Sequence, residues 1–227
     1  MKRVWITRTE PGASELGSFL GASGFSFTVA PVVKIHRVQG TTPSGLIDCW
    51  IFVSYHAVHS AIEMGWKSSK VSAAIGPATE RALRDHTSST LVPEKHTSEG
   101  LYDLLRYKLS PGAKVCLVTG RHGREDLEVW LRSDGFEVIR WVVYERTRQS
   151  VKVDVSEFDF VIASSAFALP EILATFRQQQ LCKYEYPVLV VPSLRIATNA
   201  REMGFAEVKI SNGASKSAVL SVLRNPN

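Results

Sequence analysis

Short apolar runs rich in valine and isoleucine alternate along the chain with stretches of mixed polarity, and each type predicts a different element. The runs predict strands over 3–7, 26–33, 50–54, 72–75, 114–119, 137–144, 159–163 and 187–191. After the first strand, Leu16, Phe19 and Leu20 stand at i, i+3 and i+4, the buried stripe of an amphipathic helix, and Gly24 follows as a helix stop. The same set recurs as Leu127, Trp130, Leu131 and Gly135, with Phe25 mirrored by Phe136, every residue displaced by 111 positions. At that offset Ile51-Phe52-Val53-Ser54 with Ala57-Val58 also mirrors Ile162-Ala163-Ser164-Ser165 with Ala168-Leu169. Ala74-Ile75-Gly76-Pro77 with Ala82 then mirrors Val190-Val191-Pro192 with Ala197, and Ser98 with Leu105 mirrors Ser215 with Val222, at slightly larger offsets. The economical reading is an internal duplication. Strands alternating with helices in each copy predict an α/β fold of two similar doubly wound parallel-sheet, flavodoxin-like domains.

In open parallel sheets ligands bind outside the carboxyl ends of the strands. The residues there are Thr7-Arg8, Ser54, Gly76-Pro77-Ala78-Thr79, Thr119-Gly120-Arg121, Ser164-Ser165 and Pro192-Ser193. Small hydroxyl residues at such junctions predict helix N-caps at Ser54, Thr79, Ser98, Ser165, Ser193 and Ser215, each leaving backbone N–H groups that favour an anion. An ordinary cap explains any single one of them; six together could grip several carboxylates or phosphates. Between a strand and a helix, Gly120-Arg121-His122-Gly123-Arg124-Glu125-Asp126 carries two arginines suited to forked carboxylate contacts, although either could instead pair with Glu125 or Asp126. It lacks both the Gly-Lys-Ser/Thr ending of a nucleotide loop and the glycine spacing of a dinucleotide fingerprint.

No other catalytic signature stands out. Ser54 and Ser165 lack the nucleophile-elbow glycines, and His56 and His59 have no partner completing a metal motif, so they read as surface histidines. Tyr144 closes an apolar strand where it meets Glu145-Arg146-Thr147-Arg148, a place for a rim aromatic or a proton donor. The chain has 227 residues, 44% of them hydrophobic, which is enough for one large or two small cores. No apolar run approaches the ~20 residues of a membrane span, and nothing resembles a signal peptide, so a cytoplasmic protein is expected. Cys49, Cys116 and Cys182 have no paired spacing and read as reduced. The net charge of +5 attracts anions, but its lysines and arginines are dispersed and no nucleic-acid motif accompanies them. A polyanionic small molecule fits that charge at least as well as nucleic acid.

Taken in order, these residues resemble the uroporphyrinogen-III synthase family over essentially the whole chain. The pieces that carry the resemblance are Ile6-Thr7-Arg8, Ala30-Pro31, Phe52-Val53-Ser54 with Ala57-Val58, and Ile75-Gly76-Pro77-Ala78-Thr79 with Ala82-Leu83. They continue through Ser98-Glu99-Gly100-Leu101, Gly120 with Gly123-Arg124, Val143-Tyr144 with Arg146-Thr147, Ser164-Ser165, and Val191-Pro192-Ser193 with Arg195, Ala197 and Gly204-Phe205. The chain departs from the family's usual pattern where Val191 precedes Pro192 and Arg195 follows.

The resemblance implies two domains flanking a cleft, one built from 1–35 with 150–227 and the other from 40–145, joined by linker strands at 35–40 and 145–152. It implies a cofactor-free and metal-free lyase that closes hydroxymethylbilane, a linear tetrapyrrole with eight carboxylates, into uroporphyrinogen III with loss of water and inversion of ring D. It implies Tyr144 as the group assisting departure of the hydroxyl. Thr7, Arg8, Ser54, Thr79, Gly120, Arg124, Ser164, Ser165, Ser193 and Arg195 are then expected to bind substrate. A monomer suffices for a site within one chain, and transient contact with hydroxymethylbilane synthase, which makes the substrate, is open. The rival reading is a non-catalytic two-domain cytoplasmic protein that binds a polyanionic small molecule.

Overall fold

The computed structural model describes residues 1–67, 70–180, 182 and 185–225. The chain divides into two units, Met1–Lys34 with Thr147–Asn227, and Ile35–Arg146.

The first unit contains β1 (Arg3–Ile6), α1 (Gly12–Ala22) and β2 (Ser26–Val29) from the start of the chain. From its end come β9 (Phe160–Ile162), α6 (Leu169–Gln178), β10 (Val188–Val191), α7 (Leu194–Met203), β11 (Val208–Ile210) and α8 (Lys216–Arg224). Its sheet runs β11-β10-β9-β1-β2, all parallel. Ala13, Leu16 and Leu20 of α1 share one core with Val219 and Leu223 of α8 on one face of the sheet. Ile172, Leu173 and Phe176 of α6 and Ile196, Ala197 and Ala200 of α7 cover the other. At roughly 1.5–3 kcal/mol for each large apolar side chain fully buried, these stripes are what hold the helices to the sheet.

The second unit contains β3 (Val33–Arg37), whose first two residues belong to the other unit, then β4 (Cys49–Phe52), α2 (Tyr55–Glu63), β5 (Ser72–Ala74), α3 (Pro77–Leu83) and β6 (Thr90–Leu91). It continues with α4 (Ser98–Lys108), β7 (Lys114–Gly120), α5 (Asp126–Ser133) and β8 (Glu137–Arg148), whose last two residues belong to the other unit. Its sheet order is β3-β8-β7-β4-β5-β6. Apart from the added β3, this is the order of the first sheet with β7 and β8 standing for β1 and β2, and β4, β5 and β6 standing for β9, β10 and β11. Registers agree as well: Val4 pairs with Phe160 as Val115 pairs with Cys49, and Arg3 with Ser26 as Lys114 with Glu137. Each pair is displaced by the same 111 positions that relate the sequences, so the duplication is a duplication of fold.

The predicted stripe is buried at Leu16, Leu20, Leu127 and Leu131. Gly24 and Gly135 end the two helices at φ +90° and +83°, a left-handed conformation that costs a residue with a Cβ more than it costs glycine. The strand expected over 26–33 breaks into β2 and β3. The Ala30 N–H still bonds the Ile6 carbonyl at 3.1 Å and the Val32 N–H the Thr7 carbonyl at 3.3 Å, so contact with the end of β1 persists past Pro31, whose missing N–H falls on the free edge of the sheet, before the chain passes into β3. Beyond the break, the Val38 N–H bonds Val143 O and the Gln149 N–H bonds Val32 O, both at 3.0 Å, so β3 and β8 run antiparallel. The short strands β6 and β11 are not predicted because β6 has only two residues and Lys209 interrupts the apolar pair of β11, so neither forms an apolar run. Cys49 and Cys116 are buried free thiols, and burial pushes both up to about 12; Cys182 is exposed and free. Among the described residues no helix is long and apolar enough to cross a membrane.

Candidate active site

In both sheets the strand order reverses between two central strands, β4 and β7 in one and β9 and β1 in the other. The crevice beyond such a reversal is where open α/β sheets take their ligands.

In the unit Ile35–Arg146, β4 ends at Phe52 and Ser54 caps α2 in extended conformation, its Oγ accepting the Ala57 N–H at 3.1 Å. The same Oγ lies 3.1 Å from the hydroxyl of Tyr144. Tyr144 is opposite Gly120 in the β7–β8 register, where the ladder shifts between Thr119 and Gly120, and the Arg121 N–H bonds the Tyr144 carbonyl at 2.7 Å. Its ring lies against the Gly120 backbone so closely that a Cβ on Gly120 would stand 2.6 Å from Cζ. Tyr144 is 8% exposed, a phenol set into the end of the sheet.

His56 has its ring centroid 5.9 Å from that of Tyr144. Burial, with the nearby His59 and Arg146, pushes it down to about 4, so it is neutral at pH 7. His59 is exposed as the sequence suggested, but His56 is half-buried and faces the tyrosine. Sequence reasoning passed over it because a His on an amphipathic helix gives no sign of what packs over it.

Two predicted caps belong elsewhere. Thr79 is not the cap of α3; Gly76 is, with Pro77 in the first turn, and Thr79 sits 3% exposed inside the helix with its N–H on the Gly76 carbonyl. Thr97 rather than Ser98 caps α4, accepting the Gly100 N–H at 3.2 Å. Arg124 pairs with Asp126 at 2.8 Å and with Glu99 at 3.5 Å, and Arg121 with Glu145 at 3.0 Å. All three are exposed ion pairs of small net worth, readily exchanged for another carboxylate.

In the other unit Thr7 is fully buried, its Oγ1 donating to the Ile162 carbonyl at 2.8 Å across β1 and β9. Arg8 follows, half-buried and without a hydrogen-bonding or ion-pair partner among the described residues. It lines a small cavity with Ser164, Pro192, Ser211 and Gly213. Burial lowers its pKa, and the attraction of Glu15 opposes that only in part. Ser211 and Gly213 were invisible in the sequence because they follow the unpredicted β11. Ser165 caps a single 3₁₀ turn and Ser193 caps α7, neither with a side-chain bond to the helix, so both hydroxyls are uncommitted to capping. Ser215 caps α8 through the Ala218 N–H at 3.2 Å. Arg195 is exposed in the first turn of α7.

The structure therefore brings together Tyr144, Ser54 and Gly120 in one unit, and Arg8 with Ser164 in the other. No hydrogen bond ties Thr79 to the tyrosine cluster among the described residues. Among those residues, no three His, Cys, Asp or Glu side chains gather as metal ligands.

The family model for uroporphyrinogen-III synthase HemD matches residues 14–221. Uroporphyrinogen-III synthase of Escherichia coli K12 is 26% identical over 97% of this chain and 99% of its own, and that of Salmonella typhimurium LT2 is 25% identical over the same shares. Among solved structures, uroporphyrinogen-III synthetase from Helicobacter pylori 26695 superposes with a TM-score of 0.68 at 16% identity over the full length of both chains. A mutant uroporphyrinogen III synthase from Thermus thermophilus gives 0.55 at 15% identity, covering 99% of this chain and 98% of its own. At such identities the structures speak for the fold.

Proposed function

The chain belongs to the uroporphyrinogen-III synthase family, enzymes of the cyclising lyase type that act on hydroxymethylbilane, and we propose that Tyr144 is the proton donor at which this chain releases the substrate's hydroxyl as water. The observation that carries this assignment is the position of the phenol, set at the switch point of its sheet and bonded to a helix-capping serine.

The electron-rich pyrroles supply most of the push. Once the hydroxyl leaves, the far pyrrole attacks through its substituted carbon, and a spiro intermediate reopens and closes with ring D reversed. What the protein contributes is orientation: a folded substrate in which head-to-tail closure is excluded. Arg8 is the anchor for a substrate carboxylate, since its partly buried guanidinium has five donors and no hydrogen-bonding or ion-pair partner among the described residues. Ser164, Ser165, Ser193 and Arg195 extend that anionic subsite, and Arg124 can exchange its surface carboxylates for one of the substrate's. Thr7 acts through the sheet, because its hydroxyl is spent on the Ile162 carbonyl. The same reading places the enzyme in the cytoplasm as a monomer, receiving a short-lived substrate from hydroxymethylbilane synthase.

Tyr144→Phe removes the proton and keeps the ring. Turnover measured with hydroxymethylbilane generated in situ is expected to fall about a hundredfold, the lower end of what a positioned general acid contributes, with the circular dichroism spectrum unchanged. An unaltered rate would end the assignment.

A further inference from the structure

We propose that Ser54 and Gly120 form a seat for Tyr144, Gly120 fixing where the ring lies and Ser54 fixing where its proton points, so that Ser54 is a positioning residue and not a ligand of the substrate. The proposal rests on Tyr144 as the proton donor. A serine hydroxyl has one proton and two lone pairs. One lone pair of Ser54 is occupied by the Ala57 N–H at 3.1 Å, at the N-terminus of α2. A proton and a second lone pair remain, so the geometry admits either hydroxyl as donor across the 3.1 Å to Tyr144, and the proposal takes Ser54 as the donor to the Tyr144 oxygen. A chain of donors results, from the Ala57 N–H to the Ser54 hydroxyl to the Tyr144 oxygen, each bond polarising the next.

The consequence is directional. With its oxygen accepting from Ser54, the phenol must send its own proton elsewhere, and beyond the sheet end that means the substrate. During the step the Tyr144 O–H bond breaks, the proton joins the departing hydroxyl, and the carbon–oxygen bond breaks to release water and leave a cationic methylene-pyrrole. The phenolate formed accepts the Ser54 proton as a hydrogen bond and lies near the positive end of α2, both of which favour the developing charge. The proton lost from the pyrrole when the ring closes restores the phenol, so no other reagent is required.

Gly120 does its part by having no side chain. A Cβ there would meet Cζ, Cε2 and Cε1 of Tyr144 at 2.6, 2.7 and 3.0 Å, against 3.4 Å or more for ordinary contact. The ring would have to retreat by most of an ångström, and a bond of 3.1 Å has no slack to follow it. Gly120 has no left-handed φ, so space alone explains the glycine.

The test uses Ser54→Gly, Ser54→Thr, Gly120→Ala and Tyr144→Phe, singly and with Ser54→Gly combined with Tyr144→Phe. Glycine is itself a fair N-cap, so Ser54→Gly keeps α2 while deleting the hydroxyl, and threonine keeps both. Ser54→Gly should lower kcat about tenfold, the worth of one hydrogen bond made in the transition state, with KM within about twofold. Ser54→Thr should restore kcat, and Ser54→Gly should have no further effect once Tyr144 is phenylalanine. A raised KM with unchanged kcat, or an equal loss in the Tyr144→Phe background, overturns the proposal. A second readout needs no turnover: in protein labelled at tyrosine Cζ, the Tyr144 carbon resonance, assigned by its loss in Tyr144→Phe, should move in Ser54→Gly and Gly120→Ala and stay in place in Ser54→Thr. A resonance that ignores Ser54→Gly refutes the seat whatever the kinetics. A resonance that moves as stated, in an enzyme indifferent to Tyr144→Phe, leaves the seat standing and removes Tyr144 as the proton donor.

Discussion

Arg8 should be a residue the fold would rather be without. Its guanidinium is half-buried, has no hydrogen-bonding or ion-pair partner among the described residues, and lies against the start of α1, within about 3.0 Å of where a Cβ on Gly12 would stand. A cation at a helix N-terminus opposes the macrodipole by roughly 0.3–1 kcal/mol, and burial without a partner adds to the cost. Glu15, too far for a salt bridge, recovers only part, which is why the Arg8 pKa falls below its ordinary value. Arg8→Met keeps the apolar stem and deletes the charge, so it should stabilise the free protein by about 1 kcal/mol, read from urea unfolding followed by circular dichroism. If Arg8 is kept for a substrate carboxylate, the same variant should lose a charged hydrogen bond worth about 1.5–3 kcal/mol, a KM raised roughly tenfold to a hundredfold. Destabilisation by Arg8→Met would mean that the guanidinium holds the fold through its packing. A stabilised variant with unchanged KM would mean that its charge serves no ligand.

Two further predictions concern the unit that carries Tyr144, which holds Trp50, Trp66, Trp130 and Trp141, so that tryptophan fluorescence reports mainly on its unfolding. Glu128 of α5 accepts from Arg132 at 2.9 Å and from Arg140 of β8 at 2.9 Å; burial would raise its pKa, but these bonds outweigh burial and lower it. Glu128→Gln should cost about 1–2 kcal/mol at pH 7, and because a depressed carboxylate loses its advantage as pH falls through its folded pKa, the gap between variant and wild type should close as pH falls below the ordinary carboxylate range; a gap independent of pH contradicts this. His56 titrates at about 4 in the fold against 6.5 ordinarily, so its neutral form confers stability in full above pH 6.5 that is lost as pH falls towards 4. His56→Gln should remove about 2 kcal/mol of that decline once partial exposure is allowed for, and identical pH slopes for the two proteins would refute the burial of His56.

The doubled architecture was legible because its signal is long: five apolar and glycine positions repeat at one offset, and strand registers repeat with them. Element edges were less legible where side chains compete for one role. Thr97 and Ser98 are adjacent hydroxyls and either satisfies the cap pattern, but only Thr97 has the extended backbone that aims its oxygen back at Gly100. Thr79 failed as a cap because Gly76-Pro77 had already begun the helix. The candidate residues are read one at a time, as residues at strand ends, and the contact between Ser54 and Tyr144 is not read at all. Ser54 and Tyr144 are 90 positions apart, one just beyond β4 and the other on β8 with β7 between those strands, and no local pattern states that their hydroxyls meet. Gly120 shows the same limit: its identity is dictated by a ring on the neighbouring strand, which its own neighbours in sequence do not betray.

The most direct test of the whole account is the isomer of the product. Hydroxymethylbilane generated in situ closes spontaneously to the unrearranged ring, so the uroporphyrins obtained after oxidation, separated chromatographically, report what the protein adds. The account predicts that this chain diverts the product to the isomer with ring D inverted, and that Tyr144→Phe returns most of it to the spontaneous isomer. Isomer proportions equal to those of a control without protein would contradict it, and leave a two-unit protein that binds a polyanion without transforming it.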